Sequence, residues 1–262
     1  MSGGVLVVLP ARFASTRLPG KPLLCETGKF LVQHTWEMAQ RLKTATSVVV
    51  ATDDERIAAA VRSFGGEVAM TSPACATGSD RVAEVARARS EELVVNLQAD
   101  EPEFDAGDVD RLVLAMRHEP SLPLGTLAAV AEPDERARPS VVKVVCDLRG
   151  RALYFSRAQI PQHRDAGIEE APTLRHVGVY VYRRESLLEF ARLTQTPLEK
   201  AEKLEQLRAL EHGWPIRVIV GRRAPPGIDT PEDSAAFVRR RSGAAVAGPG
   251  GGASVSAGKP PA

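Results

Sequence analysis

Apolar residues fall along this chain in two rhythms. Short unbroken runs, Val5-Leu6-Val7-Val8-Leu9 first among them, alternate with longer stretches in which apolar side chains recur every three or four positions. Unbroken runs suit strands buried on both faces, and the longer spacing suits amphipathic helices. The pattern predicts strands near 5–9, 47–51, 67–70 and 93–98, and helices near 30–43, 54–64, 79–90 and 107–118. Strand and helix in alternation signify βαβ units around a parallel sheet, whose ligand crevice lies at the carboxyl ends of the strands.

After residue 120 the rhythm changes. Strand-like runs at 124–130, 141–146, 152–156 and 176–182 follow one another with few helices between them, which predicts a more antiparallel portion. Helices near 185–193 and 199–212, a strand at 216–220 and a last helix from about 231 to 241 complete the globule. The expected class is α/β: a Rossmann-like, mostly parallel sheet over about 1–120 with a smaller mixed or antiparallel substrate lobe over about 121–215, within a folded region 1–241. Gly, Ala, Ser and Pro dominate residues 242–262, where large apolar side chains are too few to offset the entropy of ordering, so this segment is expected to be a disordered tail.

Composition narrows the function. With 262 residues and 44% apolar positions the chain can bury a full core. Lys and Arg total 34 against 33 Asp and Glu, so the formal charge is +1 and no global basic field calls for nucleic acid. Any anion site must be local. Cys25, Cys75 and Cys146 are odd in number and far apart, which argues against a disulfide framework or a zinc site and for a reducing compartment. The run at 5–9 is far below the roughly 20 residues of a membrane span and reads as a first buried strand, not a signal peptide. A cytoplasmic protein without membrane partners is expected.

The local anion site is visible just after the first strand. Arg12, Arg17 and Lys21, the hydroxyls of Ser15 and Thr16, and Gly20 are gathered in one loop, where backbone N–H groups and guanidinium forks can hold a triphosphate. The spacing is that of neither a Walker loop nor a dinucleotide fingerprint. A solvated basic loop is the alternative, but Pro19-Gly20 ahead of Lys21 has the chemistry of a tight turn, which favours a built phosphate site.

Two acids draw notice next. Asp100 stands where the strand ending Asn96-Leu97-Gln98 gives way to Ala99-Asp100-Glu101-Pro102, and Asp229 stands in Gly227-Ile228-Asp229-Thr230-Pro231-Glu232-Asp233 before the last helix. Magnesium commonly uses one or two carboxylates together with substrate phosphates. On spacing alone Asp229 reads equally as part of a helix start, with Thr230 able to cap and Pro231 at the first helical position. Thr77-Gly78-Ser79-Asp80-Arg81 likewise reads as a capped helix start, and His176 as a structural histidine in a strand.

The loop Arg12-x-x-Ser15-Thr16-Arg17-Leu18-Pro19-Gly20-Lys21-Pro22-Leu23 resembles the signature of the 3-deoxy-manno-octulosonate (KDO) cytidylyltransferases and, more loosely, of the CMP-sialate synthetases; the similarity runs from about residue 4 to 240. The resemblance implies a nucleotidyltransferase fold, a homodimer formed through the second lobe, and transfer of CMP from CTP to KDO with release of pyrophosphate, for lipopolysaccharide assembly. It assigns CTP phosphates to Arg12 and Lys21, Mg2+ to Asp100 and Asp229, and the cytosine to the segment Thr77-Gly78-Ser79-Asp80-Arg81, with Thr77 and Gly78 foremost, together with Ala11 and the Gln98 region. Arg157, His176, Tyr180, Glu205 and Gln206 are placed near the sugar acid, the last two through the Glu205-Gln206-Leu207-Arg208 match. Lys21, Arg12 and Asp100 would carry catalysis. Ala99 replaces a glycine of the family pattern, and Cys75 stands where many relatives have histidine. Were positive φ required at Ala99, the exchange would cost about 1 kcal/mol. Alternative readings are a related sugar acid, such as 8-amino KDO or a sialic acid, and a nucleotide-binding module without catalysis.

Overall fold

Alternate side chains of β1 (Val5–Pro10) enter two different cores, which accounts for its uninterrupted apolar run. Val5, Val7 and Leu9 pack with residues of α1 (Leu31–Ala39), α2 (Glu55–Ser63) and α4 (Ala106–His118). Leu6 and Val8 pack with residues of α3 (Gly78–Arg87), α5 (Arg184–Phe190) and α7 (Gln206–Glu211). Each fully buried Val or Leu contributes about 1.5–3 kcal/mol, so both helical layers are held to the sheet mainly by these rows. The computed structural model describes residues 3–14, 18–162, 164, 171–222 and 227–246.

The remaining strands are β2 (Ser47–Thr52), β3 (Glu67–Met70), β4 (Leu93–Leu97), β5 (Leu124–Val130), β6 (Lys143–Cys146), β7 (Ala152–Ser156), β8 (Leu174–Arg183) and β9 (Ile216–Val220). They form one sheet in the order β3-β2-β1-β4-β8-β5-β9, with the hairpin β6–β7 branching from β8. The pairs β1–β2, β1–β4, β2–β3 and β5–β9 are parallel, while β8 runs antiparallel to β4, β5 and β6. The predicted α/β class with antiparallel character in the second half is therefore observed. The second half is not a detached sheet, however: the pairing of β8 with β4 carries the hydrogen-bonded ladder straight across, and only β6–β7 leaves it.

Two predicted helices differ. A single helix over 199–212 is instead α6 (Pro197–Glu202) and α7, because Lys203 adopts the left-handed conformation (φ 56°) and ends the first. The last helix, α8 (Pro231–Val246), continues past the predicted end at 241. The rest of the expected tail lies outside the described residues.

From β1 the chain winds outward through β2 to β3, then returns to place β4 on the other side of β1. The strand order reverses between β1 and β4, and a ligand crevice is expected beyond the carboxyl ends of these two strands. The loops that begin at Ala11 and Gln98 leave from those ends.

Candidate active site

The loop after β1 closes by backbone bonds: the Gly20 N–H donates to the Phe13 carbonyl (3.1 Å) and the Lys21 N–H to the Leu18 carbonyl (3.2 Å). Gly20 holds φ at 67°, the left-handed region that favours glycine, and opens a short 3-10 turn over Lys21–Leu23. This is the tight turn expected from Pro19-Gly20. Ser15, Thr16 and Arg17 of the same loop lie outside the described residues.

The loop after β4 is pinned on both sides of its aspartate. The buried Thr35 hydroxyl on α1 donates to the Ala99 carbonyl (2.8 Å), and the Ile228 N–H donates to the Asp100 carbonyl (2.9 Å). The second bond draws the segment carrying Asp229 against Asp100. Lys203 is the non-glycine residue with positive φ among those described, so Ala99 has ordinary backbone and replaces glycine there without strain.

These loops converge on one cation. The Lys21 ammonium bonds to Asp100 Oδ2 and to Asp229 Oδ1 (3.0 Å), partners 79 and 208 residues away in sequence. The lysine side chain is 12% exposed and the carboxylates 30% and 45%, so the acids are open to the crevice while the cation lies beneath. Burial alone would lower the Lys21 pKa, but the charges and hydrogen bonds of Asp100 and Asp229 outweigh it and the net shift is upward. Asp229 is not spent on capping: the Asp233 N–H donates to Thr230 Oγ1 (3.2 Å), and Asp233 Oδ2 accepts from Thr230 N (2.9 Å) and Asp229 N (3.1 Å). Thr230 caps α8, which leaves the Asp229 side chain for Lys21.

A cavity of about 470 Å³ opens over this cluster, a size that suits a small-molecule ligand. Ala11, Arg12 and Lys21 line it from the first loop, Gly78, Arg81 and Gln98 from α3 and the end of β4, and Asp100, Asp229 and Glu205 complete the wall. A Cβ on Gly78 would meet Pro10 and the Gln98 amide at 3.6–3.9 Å, so the glycine leaves the floor open. Thr77, expected with the nucleotide, is the N-cap of α3 in a reciprocal box with Asp80. No cluster of three or more His, Cys, Asp and Glu suited to a metal exists among the described residues. An ion at Asp100 and Asp229 would thus rely on two protein carboxylates, as magnesium does beside substrate phosphates.

The expected sugar-side residues divide. Glu205 lines the cavity; burial raises its pKa, opposed by the Ser79 and Thr77 hydroxyls and Arg208, and its Oε2 has no hydrogen-bond partner in the protein. Behind it the Tyr180 hydroxyl donates to Gln206 Oε1 (3.0 Å), while Gln206 Nε2 is buried and unpartnered. His176 Nε2 meets Thr126 Oγ1 at 2.8 Å, and burial, reinforced by Arg175, pushes its pKa down to about 3, so the ring is neutral. Arg157 is not in the cavity wall: its Nε donates to the Glu202 carbonyl (2.7 Å) and one terminal nitrogen to the Pro139 carbonyl (3.1 Å). Cys75 donates its thiol to Glu84 (3.0 Å), and burial, with Glu84, raises its pKa to about 11, which makes it a poor nucleophile.

One titratable residue beside the site, Glu101, was not foreseen. Glu101 sits behind Asp100, where burial and then the Asp100 charge raise its pKa to about 7, against Arg175 and the Gly178 N–H. Arg81, the last residue of the Thr77–Arg81 segment, lines the cavity although it is only 2% exposed, a burial that the helix-start pattern does not record.

A family model described as cytidylyltransferase matches residues 6–219. A 3-deoxy-manno-octulosonate cytidylyltransferase from Myxococcus xanthus is 50% identical over 244 residues, which cover 91% of this chain and 98% of that one. The chain belongs to the 3-deoxy-manno-octulosonate cytidylyltransferase family. Another member, from Solibacter usitatus, is 48% identical over 87% of this chain and 91% of its own. Among solved structures, a CMP:2-keto-3-deoxy-manno-octonic acid synthetase complexed with CTP is 43% identical, with a TM-score of 0.86 over 93% of this cytidylyltransferase and 99% of that chain. A cytidylyltransferase from Leptospira borgpetersenii, at 17% identity and a TM-score of 0.61, shares the fold.

Proposed function

We propose that this chain transfers CMP from CTP to 3-deoxy-D-manno-octulosonate, giving CMP-KDO and pyrophosphate for lipopolysaccharide synthesis. The observation that carries the reading is the Lys21 ammonium held between Asp100 and Asp229 at the floor of a cavity at the switch point of the sheet. The anomeric hydroxyl of the sugar acid attacks the α-phosphorus, and pyrophosphate leaves in line. Charge gathers on phosphate oxygens, so the protein's task is to position and to stabilise charge; no covalent nucleophile is required. Arg12 and Lys21 supply fixed positive charge from the β1 loop to the phosphates. Gly78 and Gln98 bound the part of the cavity that receives the nucleoside, and Glu205, with an unpartnered oxygen, offers an acceptor to sugar hydroxyls.

Magnesium fits the acids: two carboxylates open to the crevice already converge on one cation, and oxygen donors are its preferred ligands. When bound at Asp100 and Asp229, Mg2+ supplies further positive charge to the phosphates and lowers the pKa of an oxygen it touches. We further propose a cytoplasmic homodimer. Support for the location is the set of three free cysteines and the lack, among the described residues, of a helix long and apolar enough to cross a membrane. Support for the dimer is the β6–β7 hairpin, which leaves the main sheet and exposes Leu148 and Leu153.

The test is pyrophosphate release from the full-length chain with CTP, Mg2+ and, in separate reactions, KDO, 8-amino KDO and a sialic acid. Release with KDO supports the proposal; release only with another acid reassigns the substrate, and none with any acid contradicts catalysis.

A further inference from the structure

Arg81 is a charged side chain with almost no contact with water, set in the wall of the substrate cavity. Burying a guanidinium is costly unless its donors find partners, and here two of its nitrogens meet partners at neighbouring strand ends, leaving other donors for a ligand. One terminal nitrogen lies 2.9 Å from Asp53 Oδ2, just after β2, and the other donates to Thr71 Oγ1, just after β3. Thr71 is itself tied to β2, its N–H donating to the Thr52 carbonyl (2.9 Å). A planar guanidinium held at two corners is restrained in orientation where Arg81 lines the cavity. Asp53 does not line the cavity; it reaches it only through Arg81.

We infer that Asp53 is a positioning residue for nucleotide binding: it holds Arg81 so that the guanidinium presents donors to an acceptor oxygen of the bound pyrimidine nucleotide. The inference rests on the proposed use of CTP. The rival is a buried ion pair that only stiffens the carboxyl edge of the sheet. Such a pair lowers stability when broken but does not act selectively on one substrate.

The experiment measures CTP dissociation constants by calorimetry with Mg2+ present, together with kcat and both KM values, for the wild-type chain, Asp53→Asn, Arg81→Met and the double variant. Thr71→Val, which removes the other partner without touching charge, is carried in parallel so that a poorly folding Asp53→Asn does not end the test. The expected result is a rise of about tenfold in the CTP dissociation constant and KM for Asp53→Asn, a smaller rise for Thr71→Val, and little change in kcat or in the sugar-acid KM. In the Arg81→Met background, Asp53→Asn adds less than about twofold, since its effect runs through the missing guanidinium. CTP binding by Asp53→Asn and Thr71→Val within about twofold of wild type would overturn the inference, as would independent effects of Asp53→Asn and Arg81→Met. A wild-type chain that binds no CTP would overturn the proposed function itself, and the two failures are thereby told apart.

Discussion

Lys21 is where the sequence's separate hints become one object. Its ammonium offsets the repulsion between two carboxylates brought from distant segments of the chain. Lys21→Met is expected to lower turnover by about 10²–10³-fold, the loss seen when a fixed stabilising donor is removed. It is also expected to lower the melting temperature in metal-free buffer, with millimolar Mg2+ restoring more of it than in the wild type; an equal Mg2+ response would contradict the paired-acid description. Glu101 gives a pH prediction. Its pKa of about 7 in the fold stands above the ordinary glutamate value of 4.5, so folding takes up a proton between those values. Its contribution is most favourable below pH 4.5, declines as pH rises toward 7, and is level above. Glu101→Gln cannot ionise, and should flatten that decline by at most on the order of 3 kcal/mol in chemical melts at pH 5 and pH 8; an unchanged slope would refute it. The turn of the first loop was legible because Pro19-Gly20 stands directly before Lys21. Asp229 was not decided by spacing, since an acid before a proline serves a helix start equally well; what decides it is that Thr230 and Asp233 cap each other. Glu101 and the burial of Arg81 were missed because burial of a charge depends on tertiary neighbours that no local pattern records.

At the scale of elements, alternation between strand and helix was readable wherever a helix buried a single stripe or a strand buried both faces. What escaped was punctuation without glycine or proline. The sequence over 197–212 keeps its helical apolar spacing through Lys203, yet the chain turns there in the left-handed region and starts a second helix. That turn sets Glu205 at the start of α7, where it meets the cavity, and Gln206 beside Tyr180. Lys203→Gly relieves a left-handed side chain and is expected to raise stability by about 0.5–1 kcal/mol in urea melts without altering turnover. A loss of stability would mean that the lysine side chain contributes more than its backbone costs.

At the scale of the molecule, one sheet spans both halves, so the loops after β1 and β4 and the strands of the second half share a continuous hydrogen-bonded ladder instead of meeting across a hinge. The apparent lobe boundary near residue 120 reflects a change from parallel to antiparallel pairing, which sequence pattern detects, but the edge-to-edge join of β8 to β4 is a long-range pairing that it does not. The projecting β6–β7 hairpin predicts that Leu153→Asp shifts the sedimentation mass from dimer to monomer; an unchanged mass would locate any dimer contact elsewhere. The central claim is that phosphoryl chemistry occurs at the α-phosphorus of CTP with the sugar acid as acceptor. Phosphorus NMR of the full-length chain mixed with CTP, KDO and Mg2+ tests it most directly: the account predicts that the three CTP resonances give way together to one phosphodiester signal and one pyrophosphate signal. CTP that persists unchanged, or decays to CDP and inorganic phosphate, would contradict it.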